Sequence, residues 1–218
     1  MTAKKTLILL YSVAILMLIT GIVLYTSNAQ DTDTETLMRA PDIGTEKAVL
    51  YPPGFRQMPA LALLDSRQQL FSQDSLNGQW HWVFFGFTHC PDVCPMTLQI
   101  LSRVNQQLVE QQLPQPRILL VTVDPDRDTS DKLGQYVAFF DDQALGLTGE
   151  PDQLEVLNQY FNVFATRQPA DESGNYNVDH SANIFLINPD GQLHALFSTP
   201  HQVTTLVNDF TTIKAHYE

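Results

Sequence analysis

Residues 82–95 read WVFFGFTHCPDVCP, an apolar and aromatic run that ends in two cysteines. The segment from His81 to Phe87 has the length and composition of a central strand that is buried on both faces. Cys90 and Cys94 follow it directly and are the only cysteines among the 218 residues. Two thiols at this spacing can form a disulfide, exchange electrons with a substrate or bind a soft metal ion.

The rest of the chain alternates between strand and helix patterns. Segments with apolar residues at helical spacing lie at 98–108, 133–140, 154–161 and 203–213. Segments with the composition of strands lie at 61–64, 70–71, 81–87, 117–123, 184–187 and 193–197. From the first central strand onward, the order β–α–β–α–α–β–β–α predicts an α/β, thioredoxin-like domain.

The cysteines occupy the position where such a sheet usually has its functional site, at the carboxyl end of a central strand. Pro91 and Pro95 each follow a cysteine, and a residue before proline avoids the α region. We therefore expect a tight loop that directs both sulfurs out of the domain, with Pro95 in the first turn of the next helix. The positive end of that helix favours thiolate. A structural disulfide is the alternative in an exported protein, although so short a loop gains little from cross-linking.

A metal site would need a third ligand, and His180 is the best candidate among the six histidines. It lies at the end of a polar loop and just before the strand at 184–187. Asp179 is adjacent and could orient the imidazole ring, and Asp124, at the end of the second central strand, could lie beside the site. From the residues alone, a histidine in this position is more often a hydrogen-bonded surface residue, and Asp124 is equally consistent with a turn residue.

Residues 85–95, FGFTHCPDVCP, resemble the signature of the SCO/SenC family of copper-binding assembly proteins. Further segments agree in family order: VTVDPDRDT at 121–129, GLTG at 146–149 and VDHS at 178–181. The resemblance extends over roughly residues 61–210, behind a family-like hydrophobic N-terminus.

This resemblance implies that Cys90, Cys94 and His180 bind copper in a thioredoxin-like domain. Two thiolates and an imidazole form a soft donor set that suits Cu(I), and Cu(II) can be held in related surroundings. Family members are implicated in loading the copper centre of cytochrome c oxidase subunit II, as copper donor, as reductant of its cysteines, or both. The implied partners are that subunit or another copper protein, together with an upstream copper donor.

The sequence also fits two other functions. In a periplasmic thiol–disulfide oxidoreductase Cys90 and Cys94 would be the catalytic pair, although thioredoxins carry CxxC rather than CxxxC. A copper or redox sensor would use the same site. The main interpretation is a metallochaperone, and the sequence leaves enzymatic activity open as a second role. Phe87 stands where a peroxiredoxin would have Thr or Ser, and a structural zinc site would need a fourth ligand.

The N-terminal segment predicts membrane attachment. Residues 7–25 are uncharged and nearly all apolar, long enough to cross a hydrocarbon core of ~30 Å. Lys4 and Lys5 precede this segment, so we expect residues 1–6 in the cytoplasm and the rest of the chain in the periplasm. The predicted location is a bacterial inner membrane, crossed once. A cleaved signal peptide is the alternative, because residues 27–29 resemble a cleavage site.

Composition divides the exported part into two regions. Residues 26–54 are polar and rich in proline, which predicts a tether, and residues 55–218 have the length of one copper-binding domain. After residue 30 there are 10 basic and 24 acidic residues, a formal charge of −14. Such a surface repels nucleic acid, so we expect no nucleic-acid partner.

Overall fold

The computed structural model describes residues 13–22 and 41–217. The chain divides into two compact units, one up to Arg39 and the other from Ala40 onward. In the first unit, residues 13–22 form a helix, α1, with exposed side chains. Among the described residues, no helix combines the length and the apolar character needed to cross a membrane. Most of the predicted span at 7–25, and the predicted tether up to residue 40, lie outside the described residues.

A mixed β-sheet forms the centre of the second unit. The strands described there are β1 (Val49–Leu50), β2 (Leu63–Asp65), β3 (Leu70–Phe71), β4 (His81–Gly86), β5 (Arg117–Thr122), β6 (Leu145–Thr148), β7 (Ala165–Arg167), β8 (Val178–His180), β9 (Ile184–Ile187) and β10 (Leu193–Phe197). Eight of them form one sheet in the order β1-β10-β9-β4-β5-β6-β2-β3, while β7 pairs only with β8. The neighbours β4, β5 and β6 are parallel, and the remaining pairs are antiparallel.

Helices cover both faces of this sheet. They are α2 (Val93–Glu110), α3 (Ser130–Ala138), α4 (Pro151–Phe161) and α5 (Val203–Tyr217). Trp82 and Phe84 of β4 pack in the same core cluster as residues of α2, α3 and α5, whereas Val83 and Phe85 pack with α4. Successive strand residues point to opposite faces, so every residue of β4 is buried. This double burial explains why β4 reads as a continuous apolar run.

The predicted thioredoxin-like arrangement is confirmed, including the hairpin β2–β3, the parallel pair β4 and β5, and the antiparallel pair β9 and β10 that precedes α5. Strand β6 was not predicted. It is only four residues long and contains Gly146, so its sequence shows almost no alternation of apolar and polar residues. It runs beside β5. A Cβ on Gly146 would lie 2.4 Å from the Cβ of Leu133, so glycine allows α3 to pack directly on this strand.

The folded unit begins earlier than the composition predicted. Strand β1 pairs with β10, and the buried carboxylate of Asp209 on α5 accepts hydrogen bonds from three consecutive backbone N–H groups, those of Glu46, Lys47 and Ala48. Residues 41–54 therefore belong to the folded unit rather than to a tether. Local composition could not predict this, because the carboxylate that holds the segment lies more than 160 residues further along the chain.

Candidate metal centre

The two cysteines and His180 meet beside the carboxyl ends of the parallel strands. Their ligand atoms, two Sγ atoms and an imidazole nitrogen, all lie within 4.8 Å of one another. The Sγ of Cys94 is 3.5 Å from Nε2 of His180. Among the described residues, this is the one group of three or more His, Cys, Asp or Glu side chains with donor atoms close enough to share a metal ion.

The first turn of α2 places the cysteines differently from the sequence prediction. Cys94 lies within the helix and is fully buried, whereas Cys90 precedes it and is half-buried. The backbone N–H of Cys94 points to the Sγ of Cys90 at 3.4 Å, so a sulfur takes the place of a capping oxygen. The expectation that both sulfurs point outward is therefore wrong for Cys94. A Cβ on Gly86 would lie 2.9 Å from the Cys94 sulfur, so this glycine makes room for it.

The two thiols have opposite proton affinities. A hydrogen bond from the Cys94 thiol lowers the pKa of Cys90 to about 4, despite partial burial, and the backbone N–H of Cys94 acts in the same direction. The same contact with Cys90, together with burial, raises the pKa of Cys94 well above its usual range. At neutral pH the metal-free pair therefore holds one proton, on the buried sulfur, while the accessible sulfur is a thiolate.

The imidazole of His180 is held in the tautomer that a metal requires. Its Nδ1 lies 2.9 Å from the backbone carbonyl oxygen of Ser181. Because a carbonyl oxygen can only accept, Nδ1 carries the proton and Nε2 keeps its lone pair. The rings of Phe84 and Phe87 pack edge-on against the imidazole, with centroids 6.0 and 5.8 Å away. His180 is thus oriented by a backbone carbonyl and by the aromatic core.

Asp179 does not have the orienting role that the sequence predicted. The carboxylate of Asp179 accepts a hydrogen bond from the side chain of Gln168, and the partner of the His180 ring is the Ser181 carbonyl. Asp179 and His180 are neighbours on β8, and adjacent strand residues point to opposite faces. Asp179 therefore stabilises the β7–β8 hairpin that carries the histidine.

Asp124 lies close to the site, but its side chain forms its hydrogen bonds with residues other than the three metal ligands. Its carboxylate is only 4% exposed and accepts hydrogen bonds from the hydroxyl of Tyr176, at 2.7 Å, and from Nε of Arg127. Sequence reasoning missed Asp128, which is fully buried and accepts hydrogen bonds from Thr88. Thr88 lies in the loop of residues 87–92 between β4 and α2, which we name the cysteine loop. The third acid in VTVDPDRDT, directly before the helix cap Thr129, was the signal that could have identified Asp128.

His89, which adjoins Cys90, does not join the metal group. His89 is half exposed, and its Nδ1 lies 3.0 Å from the Thr88 hydroxyl rather than near the sulfurs. Met96, near the start of α2, is 57% exposed. The cysteine loop and the β7–β8 hairpin enclose an open cleft of about 240 Å³, lined by Cys90 and His180 among others. A metal ion or a partner side chain can reach these two residues from solvent.

The donor set fits copper. Two ligand atoms bonded to one metal ion at about 2.3 Å lie at most about 4.6 Å apart, close to the limiting separation of 4.8 Å found here. Two sulfurs and one imidazole nitrogen are the soft ligands that Cu(I) prefers. Three ligands also leave a position open for exchange, unlike the four of a closed structural zinc site.

Fold and site together define a thioredoxin-like protein with a cysteine–cysteine–histidine metal centre. The family model described as SCO1/SenC matches residues 54–215. The chain therefore belongs to the SCO1/SenC family, as the sequence motifs predicted.

Individual relatives agree with this assignment. A Stutzerimonas stutzeri protein, provisionally named as copper-binding, is 40% identical over 153 residues, which cover 70% of this chain and 74% of the relative. The mitochondrial SCO2 homolog of Bos taurus is 43% identical over 131 residues, 60% of this chain and 49% of the relative. The chain thus spans about half the length of its mitochondrial relatives. The copper-bound crystal structure of Arabidopsis thaliana ScoI superposes with a TM-score of 0.70 at 28% identity, covering 73% of this chain and 98% of that one. Copper as the metal is supported by this relative and by the donor set.

Proposed function

We propose that the protein is a copper chaperone that binds one copper ion through Cys90, Cys94 and His180 and delivers it to another copper protein. The observation that carries this proposal is the convergence of the three donor atoms within 4.8 Å at an open cleft. Membership of the SCO1/SenC family supports copper as the metal. The acceptor that best fits this family is subunit II of cytochrome c oxidase.

The asymmetry of the two thiols suits uptake and release of a metal cargo. Cys90 is already a thiolate and faces the cleft, so it can meet an incoming ion first. Cys94 must lose its proton to become a ligand, because the thiolate is the metal-binding form. Two thiolates give a site of charge −1 with Cu(I) and a neutral site with Cu(II). An acceptor thiol can approach through the cleft and replace Cys90 or His180.

Copper binding by the full-length protein, reduced and freed of metal, tests the proposal. We expect one copper ion per chain, with thiolate charge-transfer absorption. Cys90→Ser, Cys94→Ser and His180→Ala should each abolish tight binding, while His216→Ala, an exposed histidine on α5, serves as the matched control. Full copper binding with an unchanged spectrum in His180→Ala would contradict the assignment of His180 as a ligand.

We also propose that residues 7–25 anchor the chain in a bacterial inner membrane, with the folded unit in the periplasm. The uncharged segment and the preceding Lys4 and Lys5 support this orientation. Protease added to spheroplasts should then degrade the folded unit without lysis of the cells. A chain that is protected until lysis would contradict the orientation.

Thiol–disulfide reduction is the second candidate function, favoured by the exposed thiolate of Cys90 beside the protonated Cys94. The Cys90 thiolate would attack a substrate disulfide, forming a mixed disulfide and releasing one substrate thiolate. Cys94 would then lose its proton and attack Cys90, which releases the second thiolate and leaves a Cys90–Cys94 disulfide. Reduction of a substrate disulfide that persists in His180→Ala, together with no copper binding by the wild type, would favour this function. A copper or redox sensor would instead bind copper but not transfer it to another protein.

A further inference from the structure

The loop that connects β5 to α3 contacts both segments that carry the ligands. We name residues 124–128 the brace loop. At one end of the brace loop, Asp128 holds the cysteine loop. Asp124, at the other end, and Arg127, which adjoins Asp128, hold the segment that leads into β8 and His180. This short stretch of chain is therefore in a position to set the distance between the sulfurs and the imidazole.

The contact with the cysteine loop is made by a buried carboxylate. Asp128 accepts hydrogen bonds from the backbone N–H of Thr88 at 3.2 Å and from its hydroxyl at 2.6 Å. The same carboxylate accepts a hydrogen bond from the hydroxyl of Thr122, the last residue of β5. Thr88 lies two residues before Cys90, so the cysteine loop is tied to the end of the central sheet.

The contact with the β7–β8 hairpin is made through Tyr176, four residues before His180. Its hydroxyl donates to Asp124 at 2.7 Å, and its backbone carbonyl accepts from Nη1 of Arg127 at 3.0 Å. The guanidinium groups of Arg127 and Arg167 each lie 3.6 Å from the centroid of its ring. Two cations this close to one ring must lie on its opposite faces, so the ring is clamped between them.

The hairpin needs this attachment because it is not part of the central sheet. Strands β7 and β8 pair only with each other, and an isolated two-stranded hairpin is at best marginally stable in water. Arg127 also lies 5.7 Å from the ring centroid of Phe87, the residue that packs edge-on against His180. The Nη2 of Arg127 is buried and makes no hydrogen bond, so two aromatic rings, the Asp124 carboxylate and the Tyr176 carbonyl hold this cation in place.

We propose that Arg127 and Tyr176 are positioning residues that hold His180 at bonding distance from a copper ion on the two cysteines. Without them, the hairpin moves away and copper is left with the dithiolate alone. The inference rests on the proposed function, since it assigns a role in copper binding to residues that do not touch the metal. It goes beyond the ligand set by naming what gives the third ligand its place.

Cu(II) binding by the full-length protein tests this role, with binding affinity and the nitrogen hyperfine coupling in EPR spectra as readouts. Arg127→Ala should weaken Cu(II) binding by about 10- to 100-fold, the usual effect of losing a residue that orients a ligand. Its EPR spectrum should lose the imidazole coupling, as in His180→Ala. Tyr176→Phe keeps the ring and loses the bond to Asp124, so we expect a smaller loss. Arg103→Ala, an exposed arginine on α2, is the matched control and should bind as the wild type does.

A double-mutant cycle separates positioning from general stability. If Arg127 acts through His180, Arg127→Ala should weaken Cu(II) binding no further in a His180→Ala background. Equal losses in both backgrounds, or an unchanged imidazole coupling in Arg127→Ala and Tyr176→Phe, would overturn the inference while leaving the copper site intact. Absence of copper binding by the wild type would refute the proposed function, and this inference with it. Because Tyr176→Phe changes a single oxygen, it keeps the test decisive if Arg127→Ala does not fold.

Discussion

The buried His81 predicts a loss of stability in mild acid that has no connection with the metal centre. His81 begins β4, at the opposite end of the strand from the cysteine loop, and its side chain is fully buried. Burial lowers the pKa of His81 from 6.5 to about 4, and the charge of Arg117 acts in the same direction, whereas the backbone of Gln79 offsets only a small part. The folded protein therefore keeps this ring neutral under conditions where the unfolded chain protonates it.

The sign and the magnitude follow from this difference in pKa. Between pH 6.5 and pH 4 the unfolded chain binds more protons than the folded one, so stability falls as the pH falls. At about 1.36 kcal/mol per pH unit of pKa difference, the largest loss is about 3.4 kcal/mol, reached below pH 4. Between pH 7 and pH 5 the expected loss is about 2 kcal/mol.

Urea denaturation of the metal-free protein at pH 7 and pH 5, followed by circular dichroism, measures this loss. His194 and His201 are partly buried, and this desolvation lowers their pKa values as well. The informative quantity is therefore the difference in pH dependence between wild type and His81→Leu. We expect His81→Leu to lose about 2 kcal/mol less than wild type over this interval, whereas the exposed control His216→Gln should follow wild type. Identical pH dependence in wild type and His81→Leu would refute the reasoning.

Other predictions concern packing, anchoring and the thiols. Asp209→Ala leaves three backbone N–H groups without their acceptor and should lower the free energy of unfolding by about 2–4 kcal/mol; a change below 1 kcal/mol in urea denaturation would contradict the anchoring role. Gly146→Ala places a methyl group against Leu133 and should cost about 1–3 kcal/mol by the same assay. Unchanged stability would contradict the close packing of α3 on β6. Iodoacetamide at pH 7 should modify Cys90 well before Cys94 in the metal-free protein, as peptide mapping would show, and equal rates would contradict the assigned thiolate.

The strands and helices of the domain were predictable where a long buried element requires a long, regular pattern of apolar residues. Strand β4 is buried on both faces, and α5 carries a regular apolar stripe, so both could be identified directly. Strands β1, β7 and β8 are two or three residues long and are defined by their partners rather than by their own composition. Phe164, three residues after the end of α4, shows the same limit in reverse: its aromatic side chain is typical of a core, yet it is 62% exposed.

The site was predictable in its chemistry and less so in its geometry. Residue types and motif order identified Cys90, Cys94 and His180, and the structure brings their donor atoms together. The burial of Cys94 was not predictable, because it depends on a helix that begins one residue before it and on the space that Gly86 leaves beside a core strand. Local sequence could specify neither, since both are set by packing against the sheet.

The supporting residues show why motif reading names ligands better than it names their neighbours. Asp179 adjoins His180 in sequence, yet strand geometry turns it to the other face and a backbone carbonyl orients the ring. Asp128 lies 38 residues from Cys90, yet a direct hydrogen bond to Thr88 connects it to the cysteine loop. Ligands can be identified from the sequence because few side-chain types bind copper, whereas orienting contacts are made wherever the fold brings a polar group within reach. For that reason the brace loop, which lies far from His180 in sequence, is a better place to search for control of copper binding than the residues beside the ligands.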